Sequence, residues 1–389
     1  MAPGSDGVEP EHGVEPDGVE PAGTADSEHT ADSEDAAAQP EPAAPAVRGR
    51  RRRAWWAWLC VVFGVVLVLL SGTALAGVNI LVHRYAGHVA KDDLLGGARK
   101  QTTGRAALEG PLNILLVGSD YRRKSPDTVW RSDTIIVLHV PASHDHAYLI
   151  SFSRDTWVHI PRSEDGKWQG GEDKINAAFG HGGNGAGGYR LLAKTLARLM
   201  KVQFDSGAVI DFYGFRRVVD VLGGVDMCVE TPPGTDSFVS IHKPHRTFHK
   251  GCQHLDGKRA LDYIRQRKQF PEGDWARMRH QQQFLKALLE SAREQGVQRD
   301  LGKLDRLIRA GGQSLTIDDS LPLEDLAFTL RNIKPEDLTA IQVPEEGHDG
   351  PTWYAELVDP APSLFEAVRN DTLDQWVIDH PDHVNPLTG

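Results

Sequence analysis

The first 47 residues contain no lysine, no arginine and no aromatic side chain, although they carry twelve acids between Asp6 and Glu41. Such a stretch cannot bury enough apolar surface to offset its ordering entropy, which excludes a folded N-terminal domain. Charge is missing altogether from Ala54 to Leu81, so that run cannot be a solvated loop. With −12 in the tail and +5 in the run Arg48, Arg50, Arg51, Arg52 and Arg53, only −4 of the total −11 falls on residues 54–389. No basic surplus exists there to grip nucleic acid. Nothing matches a Walker phosphate loop, and no helix-turn-helix stands out in the tail. Cysteine is scarce, with three in 389 residues. Cys60 sits in the uncharged run, which leaves Cys228 and Cys252 as one even pair.

The uncharged run is long enough to cross about 30 Å of hydrocarbon. The five arginines and Trp55, Trp56 and Trp58 at its start place that end in the cytoplasm. A cleaved signal peptide is the rival, because Ala74-Leu75-Ala76 resembles a cleavage site, but the apolar region is too long and too far from the start of the chain. The expectation is a single-pass type II protein of the cell membrane whose folded part is extracellular, with Cys228 and Cys252 in an environment that favours a disulfide. The expected segments are an acidic tail at 1–47, a basic flank and membrane span at 48–81, a polar stalk at 82–109, one folded domain at 110–372 and a C-terminal tail at 373–389 that frays after about 380.

Within the domain, Asn113–Gly118, Thr134–Val140 and Ala147–Phe152 are near-continuous apolar runs, as strands covered on both faces require. Helices are expected at Gly188–Met200, Tyr213–Leu222, Asp256–Ile264 and Asp274–Glu294, with strands at Ala208–Phe212 and Val225–Glu230. The alternation predicts an α/β domain with a central sheet.

The charged residues fall at the ends of these elements. Asp120 closes the first strand, Arg131-Ser132-Asp133 opens the second and Ser153-Arg154-Asp155 ends the third, so all of them reach one edge of the sheet, where ligands of α/β proteins sit. Lys174 precedes a glycine-rich stretch, His181–Gly188, that reads better as a loop than as a phosphate cradle. In Tyr263-Ile264-Arg265-Gln266-Arg267 the two arginines can share a pocket only if the segment unwinds. Asp274 and Arg277 are one turn apart at a helix start, where Asp is also a plain cap. Guanidinium forks suit phosphate oxygens and carboxylates suit a hard divalent cation, so the set reads as a pyrophosphate and metal site. The cluster His242, His245, His249, Cys252 and His254 invites a zinc reading, but Pro244 and a short polar run suggest a hairpin, and Cys252 is better spent on Cys228.

In order along residues 110–290, Asn-Ile-Leu-Leu-Val-Gly-Ser-Asp, Arg-Ser-Asp-Thr, Ser-Arg-Asp-Thr, Lys-Ile-Asn-Ala-Ala, Asp220-Val-Leu-Gly-Gly-Val-Asp226, Leu255-Asp-Gly-x-x-Ala-Leu261, Tyr-Ile-Arg-Gln-Arg and Asp-x-x-Arg with Gln281-Gln282-Gln283-Phe284 resemble the LytR-CpsA-Psr family of cell-wall glycopolymer ligases. The resemblance implies a three-layer α/β/α sandwich with a central mixed sheet and an apolar groove for a polyprenyl chain. It implies transfer of a phospho-glycan from a polyprenyl-pyrophosphate carrier to the muramic acid 6-hydroxyl of peptidoglycan, assisted by Mg2+. Carried over by position, Asp120 and Asp133 hold the metal. Arg154, Lys174, Arg265, Arg267 and Arg277 hold the pyrophosphate, and Arg131, Arg154, Asp155 and Asp274 are the catalytic set, with Asp155 or Asp274 taking the acceptor's proton. Two positions depart from the pattern: Ser153 stands where Pro is usual, and His280 stands where an Arg usually precedes the glutamines. Two other functions use the same features: a polyprenyl-pyrophosphate-binding pyrophosphatase, and a membrane-bound transcription attenuator, which the outward topology disfavours.

The topology is directly testable. A reporter active only outside the membrane is expected to work when fused after Gly389 and to fail when fused before Arg48; the reverse pattern would sink both the anchor and an extracellular domain.

Overall fold

The computed structural model describes residues 90–101, 108–119, 131–297, 300–321, 323–350 and 352–387. The acidic tail, the expected membrane span, the first part of the stalk and Asp120 lie outside the described residues. Among those described, no helix is long and apolar enough to cross a membrane.

The described residues run through strands β1 (Ala90–Asp92), β2 (Leu112–Ser119), β3 (Ser132–Val140), β4 (Ala147–Phe152), β5 (Trp157–Ile160) and β6 (Gly171–Lys174), and then the helices α1 (Ala177–His181) and α2 (Gly185–Met200). Then follow β7 (Ser206–Asp211), α3 (Phe212–Val221), β8 (Val225–Val229), β9 (Ser237–Val239), β10 (Thr247–His249), β11 (Gly251–Leu255), α4 (Gly257–Tyr263) and α5 (Asp274–Glu294). The remainder is α6 (Leu301–Gly311), β12 (Leu315–Asp318), α7 (Leu323–Leu330), β13 (Leu338–Gln342), β14 (Glu345–His348), β15 (Tyr354–Leu357), α8 (Ala361–Asn370), α9 (Leu373–Asp379) and β16 (Val384–Asn385).

The fold is mixed α/β around a mixed eight-stranded sheet, ordered β1-β12-β7-β2-β3-β4-β13-β16. β2 sits near its middle, parallel to β7 and antiparallel to β3, and β4 runs parallel to β13. The apolar runs are nearly unbroken because both faces of the inner strands are covered. Alternation then divides them: Leu115, Val117, Ile135, Val137, Ile150 and Phe152 join residues of α2 and α8 in one core, whereas Leu116, Ile136, Ala208 and Ile210 point to a cavity on the other face.

Local chemistry places the helix starts. Asp211 caps α3, accepting from the backbone N–H of Tyr213 and Gly214 (2.9 and 2.8 Å), and Asp256 caps α4 at Arg259 (2.7 Å). The glycine-rich stretch is not a loop throughout: α2 already begins at Gly185. A Cβ on Gly188 would strike the backbone of Phe179, so these glycines let α1 and α2 approach closely. Cys228 and Cys252 face each other across β8 and β11 and form a disulfide.

Both flanks of the expected domain belong to the fold. The polar stalk does not stand apart, because β1 pairs with β12 and Leu94, Leu95 and Ala98 are buried in the core. The C-terminal segment is not a frayed tail either. α9 buries Leu373 and Trp376, β16 pairs with β13 as an edge strand, Asn385 donates to Gln282 Oε1 (2.7 Å) and Lys286 donates to the carbonyl of Leu387 (2.7 Å). The polar composition of 380–387 hid this, since its attachment is by hydrogen bonds rather than apolar burial. Deleting residues 373–389 is therefore expected to lower the melting temperature by about 5 °C or more; an unchanged melting curve would show that the segment adds nothing.

Candidate functional site

The register brings charged strand ends to one edge. Ser119 pairs with Ser132 and with Asp211, while Ser151 lies beside Gln342, so β2, β4, β7 and β13 end where β3 begins. Asp133, Arg154, Asp211 and Glu345 accordingly meet there.

Arg154 is the hub. Its Nη1 donates to Asp133 Oδ1 (2.6 Å), and its Nε lies 3.5 Å from Asp155 Oδ2 and 3.9 Å from Asp274 Oδ1. Burial works against its charge, but the carboxylates of Asp133 and Asp274 more than offset it and raise the guanidinium above its ordinary value. Lys174, at the end of β6, reaches Asp155 Oδ1 (3.1 Å). Asp274, at the start of α5, is 3.6 Å from Arg267 Nη1 and 2.9 Å from Arg277 Nη2. Arg277 is almost fully buried, and its Nη2 also holds the Asp133 carbonyl (3.0 Å); burial pushes its guanidinium down.

α4 ends at Tyr263, so the segment after it does unwind. Arg265 and Arg267 then both line the same cavity, and the Arg265 guanidinium lies 4.5 Å over the Phe212 ring. In all, five cations (Arg154, Lys174, Arg265, Arg267 and Arg277) stand with three carboxylates (Asp133, Asp155 and Asp274). Arg154 Nε, Arg277 Nε and Asp274 Oδ1 are buried without hydrogen-bond partners among the described residues, although each lies in this network of opposite charge. Arg131 stands exposed at the entry to β3 and is not among the residues that line the cavity.

Behind this mouth lies the cavity, about 390 Å³ in volume. Its walls are Leu116, Ile136 and Ile210 of the sheet, Phe212, Phe215 and Val218 of α3, Leu261 of α4 and Ile264 just after it, and Phe284, Leu285 and Leu288 of α5. The positions on α3 and α5 recur at helical spacing, so each helix turns one apolar stripe to the void.

Two features were not foreseen. The glutamines of α5 brace the helix: Gln282 Nε2 reaches the Leu149 carbonyl (3.1 Å), Ser151 Oγ (2.8 Å) and the Ile341 carbonyl (3.0 Å), pinning α5 to β4 and β13. Glu345, half-buried at the start of β14, accepts from Thr156 Oγ1 (2.7 Å), and its other oxygen is buried with no partner among the described residues. Burial, with the nearby charges of Asp274 and Asp155 adding to it and hydrogen bonds from Thr156 and the Ser153 backbone opposing it, pushes this carboxyl up to about 8. The run Val-Pro-Glu-Glu held no signal for this, because the partner Thr156 is 189 positions away.

His280 makes no contact at the mouth. It is fully buried, stacked on Tyr263 (ring centroids 4.5 Å apart) with Phe270 edge-on, and burial pushes its imidazole down. Arg279 turns away to a two-pronged pair with Glu230 (2.9 and 2.8 Å). The zinc reading also fails, since Cys252 is in the disulfide and the one triad of possible metal ligands among the described residues is Asp93, Asp318 and Asp319, away from the histidines.

A family model, described as the LytR_cpsA_psr family, matches residues 80–364. The chain belongs to the LytR-CpsA-Psr family. It is 29% identical over 338 residues to the cell wall biosynthesis protein LcpA of Corynebacterium glutamicum, covering 77% of this chain and 61% of LcpA. It is 29% identical over 282 residues to the polyisoprenyl-teichoic acid–peptidoglycan teichoic acid transferase TagV of Bacillus subtilis, covering 70% of this chain and 66% of TagV. The chain thus spans somewhat under two thirds of these relatives' length. The crystal structure of B. subtilis TagV superposes with a TM-score of 0.54 at 26% identity, covering 68% of this chain and 97% of that one.

The pH response of Glu345 follows from its environment. A carboxyl whose folded value is raised from 4.5 to about 8 contributes stability that is fully present below 4.5 and is lost as pH rises through about 8. Between pH 5 and 9 the melting temperature of the protein is expected to fall more steeply than that of Glu345→Gln, whose amide stays neutral; parallel curves would show that Glu345 is not held protonated.

Proposed function

We propose that this LytR-CpsA-Psr protein is a membrane-anchored phosphotransferase of cell wall biogenesis. It ligates a glycopolymer from a polyprenyl-pyrophosphate carrier to the muramic acid 6-hydroxyl of peptidoglycan. The observation that carries the reading is the joining of an apolar cavity to a mouth with more guanidinium than carboxylate charge. A prenyl chain suits the cavity and a diphosphate suits the mouth, and few ligands other than a lipid-linked diphosphate present both. The transferase name of TagV supports it. On this reading helices on both faces make a three-layer α/β/α sandwich, the run 54–81 anchors the chain, and the catalytic domain lies outside the cell.

In the reaction the acceptor hydroxyl attacks the phosphorus that bears the glycan. A new P–O bond forms to the acceptor, the bond to the bridging oxygen breaks, and polyprenyl phosphate leaves with the electron pair. Arg154, Arg265 and Arg267 hold the diphosphate oxygens and neutralise the charge that builds on the leaving group. Asp155 and Asp274, both beside Arg154, are positioned to take the hydroxyl's proton. Arg277 keeps Asp274 and the start of β3 in place.

The donor set fits a hard cation. Mg2+ takes one or two carboxylates together with substrate phosphates, and Asp133 is a partly exposed carboxylate at the mouth, to which the sequence adds Asp120. When bound, Mg2+ would supply further neutralisation of the diphosphate. A pyrophosphatase would use the same residues with water as nucleophile, and acceptor dependence separates the two.

The decisive contrast is between shape and charge. With labelled prenyl-diphosphate-linked glycan and peptidoglycan fragments, Arg154→Lys and Arg265→Lys are expected to lose about a hundredfold in rate, nearly as much as the alanine variants, because a point charge cannot replace a planar fork. Asp133→Asn is expected to move the Mg2+ titration to higher concentration. Full turnover in Arg265→Ala and Arg267→Ala would place the site elsewhere.

A further inference from the structure

Beside the mouth lies a second concavity of about 380 Å³, formed where α3, the loop between β9 and β10, and α4 meet. Arg216 comes from α3, Lys243 and Arg246 from the loop, Lys258 and Asp262 from α4, and Arg265 from the unwound segment. It adjoins the apolar cavity, since His242, Leu261 and Arg265 border both.

Its charge is one-sided. Asp262 is the one carboxylate of the groove, and it is already committed: it is buried, accepts from Ser240 Oγ (2.5 Å) and Gln266 Nε2 (2.9 Å), and pairs with Arg246 Nη1 (3.0 Å). Among the described residues, no carboxylate lies within ion-pair distance of Arg216, Lys243 or Lys258, and Arg216 Nε is buried without a hydrogen-bond partner. Other arginines of this domain, such as Arg99, Arg190 and Arg279, are paired with acids. Three uncompensated cations in one groove repel each other, and a partly buried donor without an acceptor adds to that cost. A single carboxylate would leave most of the charge unbalanced, whereas a phosphate ester brings several acceptor oxygens and one to two negative charges.

We propose that this groove is a second anion site, which takes a phosphate ester lying beyond the diphosphate held at the mouth. The shared border at Arg265 makes the two anion sites neighbours on one ligand path. That the ester belongs to the glycopolymer of the donor rests on the ligase reading; the preference of the groove for phosphate does not. An anionic phospholipid headgroup offers the same chemistry.

The test is direct binding by calorimetry, with the full-length protein in neutral detergent. The probes are inorganic pyrophosphate, a short soluble poly(glycerol phosphate), and glycerophosphoglycerol as an isolated lipid headgroup. Lys243 and Lys258 are exposed, so Lys243→Gln with Lys258→Gln leaves the core untouched. The double variant is expected to bind poly(glycerol phosphate) about tenfold more weakly while its pyrophosphate affinity stays within about twofold. A matching loss for glycerophosphoglycerol, with the isolated headgroup binding as tightly as the polymer, would support the groove and name a lipid as its source. Binding of both esters unchanged by the double variant overturns the proposal. Arg154→Ala reports on the mouth separately: undiminished pyrophosphate binding there would count against the ligase reading and leave the groove standing.

Discussion

The arrangement depends on one ion pair, Arg154 Nη1 to Asp133 Oδ1 at 2.6 Å, which joins the end of β4 to the start of β3 at the edge of the sheet. A half-buried arginine is best tolerated with opposite charge around it. Asp133, Asp155 and Asp274 provide that charge from three different elements, and each also engages another cation or backbone group. The result is a network of alternating charge drawn from β3, the turn after β4 and the start of α5. Fixing the guanidinium forks in advance spares the protein reorganisation when an anion arrives, which is what electrostatic stabilisation of a transferring phosphoryl group requires.

The second constraint is the open volume behind that lattice. Phe212, Phe215 and Phe284 wall the cavity without filling it, and Phe215 packs at a tilt against Phe284 with ring centroids 4.3 Å apart. Apolar walls left uncovered lose the contacts that close packing would supply, so a void of this size lowers stability unless a ligand fills it. Stability is drawn from elsewhere: the dense core between the sheet and α2 and α8, the glutamine clasp of α5, the disulfide across β8 and β11, and the C-terminal edge strand. The face that works is the loosely packed one.

Much of this was legible in the chain. The helix Asp274–Glu294 and the strand Ala147–Phe152 have the bounds their apolar pattern implies, and the ordered Arg and Asp motifs lead to one edge because α/β strand ends converge. The meeting of Arg265 and Arg267 was legible only as a condition, since spacing alone could not say whether α4 continued. What stayed hidden depended on distant partners or on hydrogen bonds without a pattern: Glu345 with Thr156, Gln282 with three acceptors on β4 and β13, and the attachment of 384–387 to β13 and α5. His280 shows the opposite risk. The motif marked it only as a departure, His where an Arg usually precedes the glutamines, while burial between Tyr263 and Phe270 makes it part of an aromatic core.

Glu345 bears on the balance of the whole mouth. Were it ionised, a fourth carboxylate would stand against the same five cations, close enough to Asp155 and Asp274 for their charges to register on it. Its burial resolves the conflict, because the neutral acid is the cheaper form in that position until pH rises to about 8. Kept protonated, it still accepts the Thr156 hydroxyl and so holds the turn that carries Arg154 and Asp155. The mouth therefore gains a brace without gaining a charge, and on the proposed reading its surplus of positive charge is left for an anionic ligand.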